Sequence, residues 1–140
     1  MRNSLLRNLG FALTGVYATF KSERNFRIHV VAMSLAVALG LYLGLALVEW
    51  GLIILSGGLV MGFELFNTAV ERLGDEVARG EQVLLVKNAK DIAAGAVLLS
   101  VLAALLIGIL FLGIPLVRSI AGLVWATTWG SPLPPGLPFL

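Results

Sequence analysis

Cysteine is absent from the 140 residues, and there is a single histidine. The first absence excludes a disulfide framework, a thiol nucleophile and a thiolate metal site. The second excludes a multi-histidine metal centre. Charge is also scarce, at 13% Asp, Glu, Lys and Arg against about 25% in soluble domains. Hydrophobic residues make up 59% of the chain, and the mean hydropathy is +0.96. That balance excludes a disordered chain, a basic nucleic-acid-binding domain and an ordinary cytosolic enzyme. There is no Walker A sequence, no GxGxxG loop and no zinc-binding pattern, so any nucleotide chemistry needs an unrelated architecture. The length fits one domain.

What the chain has is long uncharged runs. Ile28 to Val48 is 21 residues, Trp50 to Phe63 is 14, and Ile92 to Val117 is 26. A membrane-crossing helix needs about 20 apolar residues for a hydrocarbon core of ~30 Å. The first and third runs qualify directly. The second qualifies once Glu64 and Asn67 are accepted inside it, which gives predicted spans over about 28–48, 50–70 and 92–117. Basic residues alternate around these spans as five, zero, four and one. The positive-inside rule then predicts a multi-pass protein of the inner (plasma) membrane with a cytoplasmic N-terminus.

Before the first span, Leu5, Leu6, Leu9, Leu13, Val16, Tyr17 and Phe20 recur at helical spacing. That pattern predicts an amphipathic surface helix over about 4–27. The stretch runs into Lys21-Ser22-Glu23-Arg24, with no small-residue cleavage site, which argues against a signal peptide. Residues 118–140 carry Trp125, Trp129 and the cluster Ser131-Pro132-Leu133-Pro134-Pro135. They predict a short outer-surface segment passing into an irregular extracytoplasmic tail. The reading is an all-α membrane protein: three transmembrane helices and a surface helix in one integral membrane domain, residues 1–140.

The chemistry concentrates in the second span. Glu64, Asn67, Thr68, Glu71 and Asp75 follow offsets 0, +3, +4, +7 and +11, within roughly a 100° arc of one helical face. A carboxylate inside a membrane helix costs about 2.5–3.5 kcal/mol on insertion scales, so it marks a functional site by default. Two carboxylates and an amide in a row suit divalent-cation binding and proton abstraction. With Trp50 at the outer interface, Glu64 lies about 21 Å down the axis and Glu71 about 10 Å further, near inner water. Such a layout joins a lipid-soluble and a water-soluble substrate. Lys87, Lys90 and Asp91 share one face at the start of the third span; lysines there suit phosphates, and the helix dipole favours Asp91 near an N-terminus.

Plainer readings stand beside these. Glu71 and Asp75 also fit a solvated face next to Arg72, which we prefer for Asp75 but not for Glu71. Lys87 fits a positive-inside residue, and Arg24 and Arg27 fit anchors to anionic lipid. His29 fits an interfacial hydrogen-bonding group rather than a metal ligand. For the whole chain, the residues are compatible with a lipid kinase, a small oligomeric channel or transporter, or a structural membrane subunit.

Three segments carry a resemblance: Lys21 to His29, Glu64 to Asp75 (E-L-F-N-T-A-V-E-R-L-G-D), and Asn88 to Asp91 followed by Ala94-Gly95-Ala96-Val97. Together they resemble the prokaryotic diacylglycerol kinase and undecaprenol kinase family over roughly residues 5–117. The resemblance implies a small homotrimeric membrane kinase, ATP with Mg2+ as phosphoryl donor, a lipid alcohol as acceptor, and active sites shared between subunits. It implies Glu64 as catalytic base with Asn67 beside it, and Glu23 and Glu71 as carboxylates holding the metal with ATP. It also implies Lys90, Asp91 and Arg7 at the nucleotide, and Arg27 with Glu64 on the substrate side. The run from Lys21 to His29 is closer to the undecaprenol branch, so undecaprenol is expected ahead of diacylglycerol.

Overall fold

A computed structural model describes residues 2–81 and 83–130. It consists of α1 (Arg2–Ser22), α2 (Arg24–Leu43), α3 (Leu47–Ala78), α4 (Leu84–Gly108), a π-helical segment (Ile109–Gly113) and α5 (Ile114–Trp129). Three helical stretches are long and apolar enough to cross a membrane: Arg24–Leu43, Leu47–Ala78 and Leu84–Trp129.

The surface helix is shorter than its periodicity predicts. It ends at Ser22, because Glu23 adopts an extended backbone (φ −96°, ψ 121°) and starts α2 afresh. Helix ends leave carbonyls without intrahelical donors. Here the Arg27 guanidinium supplies them, donating to Phe20 O at 3.2 Å and Lys21 O at 3.0 Å. The apolar stripe of α1 faces outward, with Leu5, Leu9, Leu13 and Phe20 all exposed, as a helix lying on lipid requires.

Between α2 and α3 the chain turns at Gly44, whose N–H reaches back to Gly40 O. Glu49 then accepts the Ala46 N–H at 2.7 Å, a carboxylate in the first turn of α3 where the helix dipole favours it. Helix α3 is central. It packs most extensively on α4 and next on α2. Its buried residues, Ile53, Ser56, Val60, Glu64, Asn67 and Thr68, form one stripe at i, i+3, i+7, i+11, i+14 and i+15. Large apolar side chains elsewhere, such as Leu35, Leu55, Leu99 and Leu106, are exposed; hydrocarbon is the medium in which that surface is at ease.

Two predicted boundaries are corrected at the far end. The third helix starts at Leu84, so Asp91 sits in its interior and no acid occupies the first turn; the dipole argument for Asp91 therefore fails. Residues 118–129 are helical, where an irregular tail was expected. Pro115 falls in the first turn of α5, where its missing N–H is tolerated. The proline cluster at residues 131–135 lies outside the described residues.

Candidate active site

The polar half of the α3 stripe is where the carboxylates collect. Glu64 is 4% exposed and Thr68 equally so, Asn67 is buried at 9%, Glu71 is half-buried and Asp75 is exposed. Burial therefore falls along the stripe in the order its sequence position predicts. The Thr68 hydroxyl donates to Glu64 O at 3.0 Å. The Asn67 amide donates from Nδ2 to Glu71 Oε1 at 3.0 Å. Asn67 Oδ1 is buried and has no donor among the described residues. A buried acceptor left unanswered costs about 1–3 kcal/mol, so this atom has room for a further donor.

The elbow between α1 and α2 brings Glu23 to the same region. Its Oε1 accepts the Ser22 hydroxyl at 2.8 Å and an Arg72 Nη2 contact at 3.5 Å. Arg72 also donates to Ser22 Oγ at 2.6 Å, so α3 grips the elbow through one guanidinium. Glu23 is thereby held beside α3 at Arg72, the residue next to Glu71. His29 sits half-buried inside α2, rather than at an interfacial helix head.

One turn beyond Glu71 a cleft of about 720 Å³ opens between the end of α3 and the start of α4, lined by Asp75, Glu81, Lys87, Lys90 and Asp91 among others. Lys90 is ion-paired with Asp75, a contact that spacing does not reveal. Gly74 permits it: a Cβ there would meet Lys90 Cε and Val86 Cγ1, each at 2.9 Å. Asp75 is thus both exposed and paired. Arg7 is exposed on α1 and forms no ion pair among the described residues. Arg27 is engaged in closing the elbow.

The donor set fits the magnesium that the resemblance implies. Glu23, Glu71 and the free Asn67 Oδ1 offer only hard oxygens, and Mg2+ takes one or two carboxylates and fills its octahedron with water and phosphate. No group of three or more His, Cys, Asp or Glu side chains that could hold a metal occurs among the described residues. Chemically, the region offers a buried carboxylate on a packed helix face, further carboxylate and amide oxygens along the same stripe, and next to it a cleft lined by acids and lysines together.

The family model for prokaryotic diacylglycerol kinase matches residues 10–112. A diacylglycerol kinase of Synechocystis sp. is 38% identical over 105 residues, covering 75% of this chain and 60% of the relative's length. The undecaprenol kinase of Bacillus subtilis is 34% identical over 108 residues, covering 77% of this chain and 87% of that protein. The diacylglycerol kinase of Escherichia coli K12 is 31% identical over 102 residues, or 73% and 83%. Fold, carboxylate stripe and these matches define an integral membrane enzyme of the lipid-kinase class. The chain belongs to the prokaryotic diacylglycerol kinase family.

Proposed function

We propose that this protein transfers the γ-phosphoryl group of ATP to the primary hydroxyl of a membrane lipid alcohol, undecaprenol ahead of diacylglycerol. The observation that carries the reading is the graded stripe from buried Glu64 through Asn67 to half-buried Glu71, which supports a base at depth beside a cation site nearer water. Family membership supports the lipid-kinase class, and relatives with each substrate name match at comparable identity. The resemblance of Lys21 to His29 to the undecaprenol branch supports the finer choice.

In this mechanism a lipid hydroxyl lies against Glu64, which takes its proton as the oxygen attacks the γ-phosphorus. A new O–P bond forms, the bond from the γ-phosphorus to the ADP oxygen breaks, and ADP leaves. Asn67 holds Glu71 in place through its amide. Glu23 and Glu71 would hold Mg2+ with the ATP phosphates, where it would offset phosphate charge. Lys90, released from Asp75, offsets charge on the transferring group, and Asp91 with Arg7 contacts the nucleotide. Arg27 serves the lipid side by fixing the elbow. The protein works as a homotrimer in the inner membrane, with its N-terminus and nucleotide site in the cytoplasm, as the alternation of basic loops supports.

A competition assay tests this reading. Purified protein in mixed micelles should consume ATP only when a lipid alcohol is present, with a higher kcat/KM for undecaprenol than for diacylglycerol. A tenfold preference for diacylglycerol, about 1.4 kcal/mol, overturns the substrate choice. ATP consumption indifferent to either lipid overturns the kinase.

A further inference from the structure

The third membrane stretch is much longer than a bilayer needs. Leu84–Trp129 is 46 residues, or about 69 Å at ~1.5 Å per residue, against roughly 40–45 Å for a bilayer with its headgroups. The bundle stops at the π segment. Leu112 is buried there, and Leu112 and Gly113 line an apolar groove with Leu39 and Ile53, near the turn joining α2 and α3. Helix α5 therefore projects past its neighbours, on the membrane face opposite the carboxylates. The family match ends at residue 112 and assigns nothing to it.

Helix α5 is unlike a helix made for water. Arg118 is its one charged residue. At 100° per residue, Leu116, Val117, Ile120, Leu123 and Val124 fall on one side. Four of these, Val117, Ile120, Leu123 and Val124, are exposed. Arg118, Gly122, Trp125 and Trp129 follow offsets 0, +4, +7 and +11 on the opposite side. The two indoles pack with centroids 5.8 Å apart and planes tilted by 37°. The Trp125 indole N–H is covered and has no acceptor among the described residues. Thr127 and Thr128 both donate to Val124 O at 2.8 Å, so their hydroxyls make no demand for water.

We propose that α5 docks on the phospholipid headgroup layer at that face. It turns at the π segment, sinks Leu116, Ile120, Leu123 and Val124 into the acyl boundary, and presents Arg118 to lipid phosphates. π segments and adjacent glycines are where helices bend, and the i→i+5 bond from Ile114 N–H to Ile109 O lies at the required place. Three observations favour lipid as the occupant. The exposed apolar surface of α5 follows on from exposed Leu105 and Leu106 of α4 and Ile109 of the π segment, in a stretch long and apolar enough to cross a membrane. Arg118 is complementary in charge to a phosphodiester. The indoles sit at headgroup level, where tryptophan is enriched and an N–H finds carbonyl and phosphate acceptors. Zipping α5 against another copy would bury the same apolar face but leave both indoles in water.

Full-length protein carrying Trp50→Phe keeps Trp125 and Trp129 as its only indoles and can be reconstituted into phosphatidylcholine–phosphatidylglycerol vesicles. Acyl chains brominated next to the headgroup should quench the emission by about half or more. Aqueous iodide should quench roughly fivefold less than it quenches free tryptophan amide. Iodide quenching equal to the free amide, with no bromolipid effect, overturns the proposal in favour of a helix standing in water. Quenching by neither agent, together with disulfide formation between copies of Leu123→Cys, overturns it in favour of copy-to-copy packing. Should the Trp50 substitution prevent folding, a nitroxide on Leu123→Cys in this cysteine-free chain gives the same reading. Relaxation by oxygen over a water-soluble nickel chelate supports lipid, and the reverse order refutes it.

Discussion

The two halves of the α3 stripe are buried to the same degree by different means. Near the turn, Ile53, Ser56 and Val60 are covered by close packing. Gly57 lets Met33 of α2 lie against the α3 backbone, so that an added Cβ would collide with its sulfur, and Ser56 is satisfied by Ile53 O at 3.0 Å. In the other half the same depth is occupied by Glu64, Asn67 and Thr68. There Asn67 donates to Glu71, Thr68 donates back to Glu64 O, and one buried acceptor is left open. The first half satisfies its one polar side chain locally and lines an apolar groove. The second buries a carboxylate and leaves an amide oxygen without a donor among the described residues.

Substitutions on either side sharpen the contrast. The largest effect is expected at Glu64→Gln, which removes the proton acceptor while preserving shape. The kcat should fall by about 10²-fold or more, with nucleotide affinity measured by calorimetry unchanged. Turnover above a tenth of wild type removes Glu64 from the role of base. Asn67→Ala frees Glu71, and loss of such a supporting hydrogen bond typically weakens metal binding by about 10–100-fold. Titrating activity with Mg2+ checks this, and an unshifted half-saturation point refutes it. In the packed half, Gly57→Val should cost about 1–3 kcal/mol of stability and lower the unfolding midpoint in detergent. The kcat per folded molecule should hold; a fall in kcat without a fall in midpoint would erase the distinction between the halves. The smallest effect is expected at Arg72→Ala. Its contact with Glu23 is partly exposed on both sides (52% and 31%), and such pairs contribute about 0.2–1 kcal/mol. A shift of at most about fivefold in Mg2+ half-saturation, vanishing at high salt, should be measurable.

Much of this was legible in the sequence because membranes impose coarse rules. Uncharged runs gave the spans, and the 3.6-residue period put Glu64, Asn67 and Thr68 on one buried face. The elbow was hidden, because Lys21-Ser22-Glu23-Arg24 contains no glycine or proline. The break is made by Arg27 and Arg72 acting from elsewhere in the chain. The Asp75–Lys90 pair was hidden too, because it depends on how α3 and α4 fold back across Gly74. Helix α5 was hidden as well, because the uncharged run stops at Val117 and the proline cluster after Trp129 gave the whole tail an irregular character. His29 was placed at the head of a membrane helix, whereas α2 starts earlier, at Arg24, and leaves it half-buried within the helix.

The elbow at Glu23 has a mechanical meaning as well as a chemical one. Glu23 is the single non-helical residue joining α1 to α2, and its carboxylate is tied to Ser22 on one side and Arg72 on the other. The surface helix and this carboxylate share one hinge at residue 23, so a change in the tilt of α1 against α2 is also a change in the setting of the carboxylate.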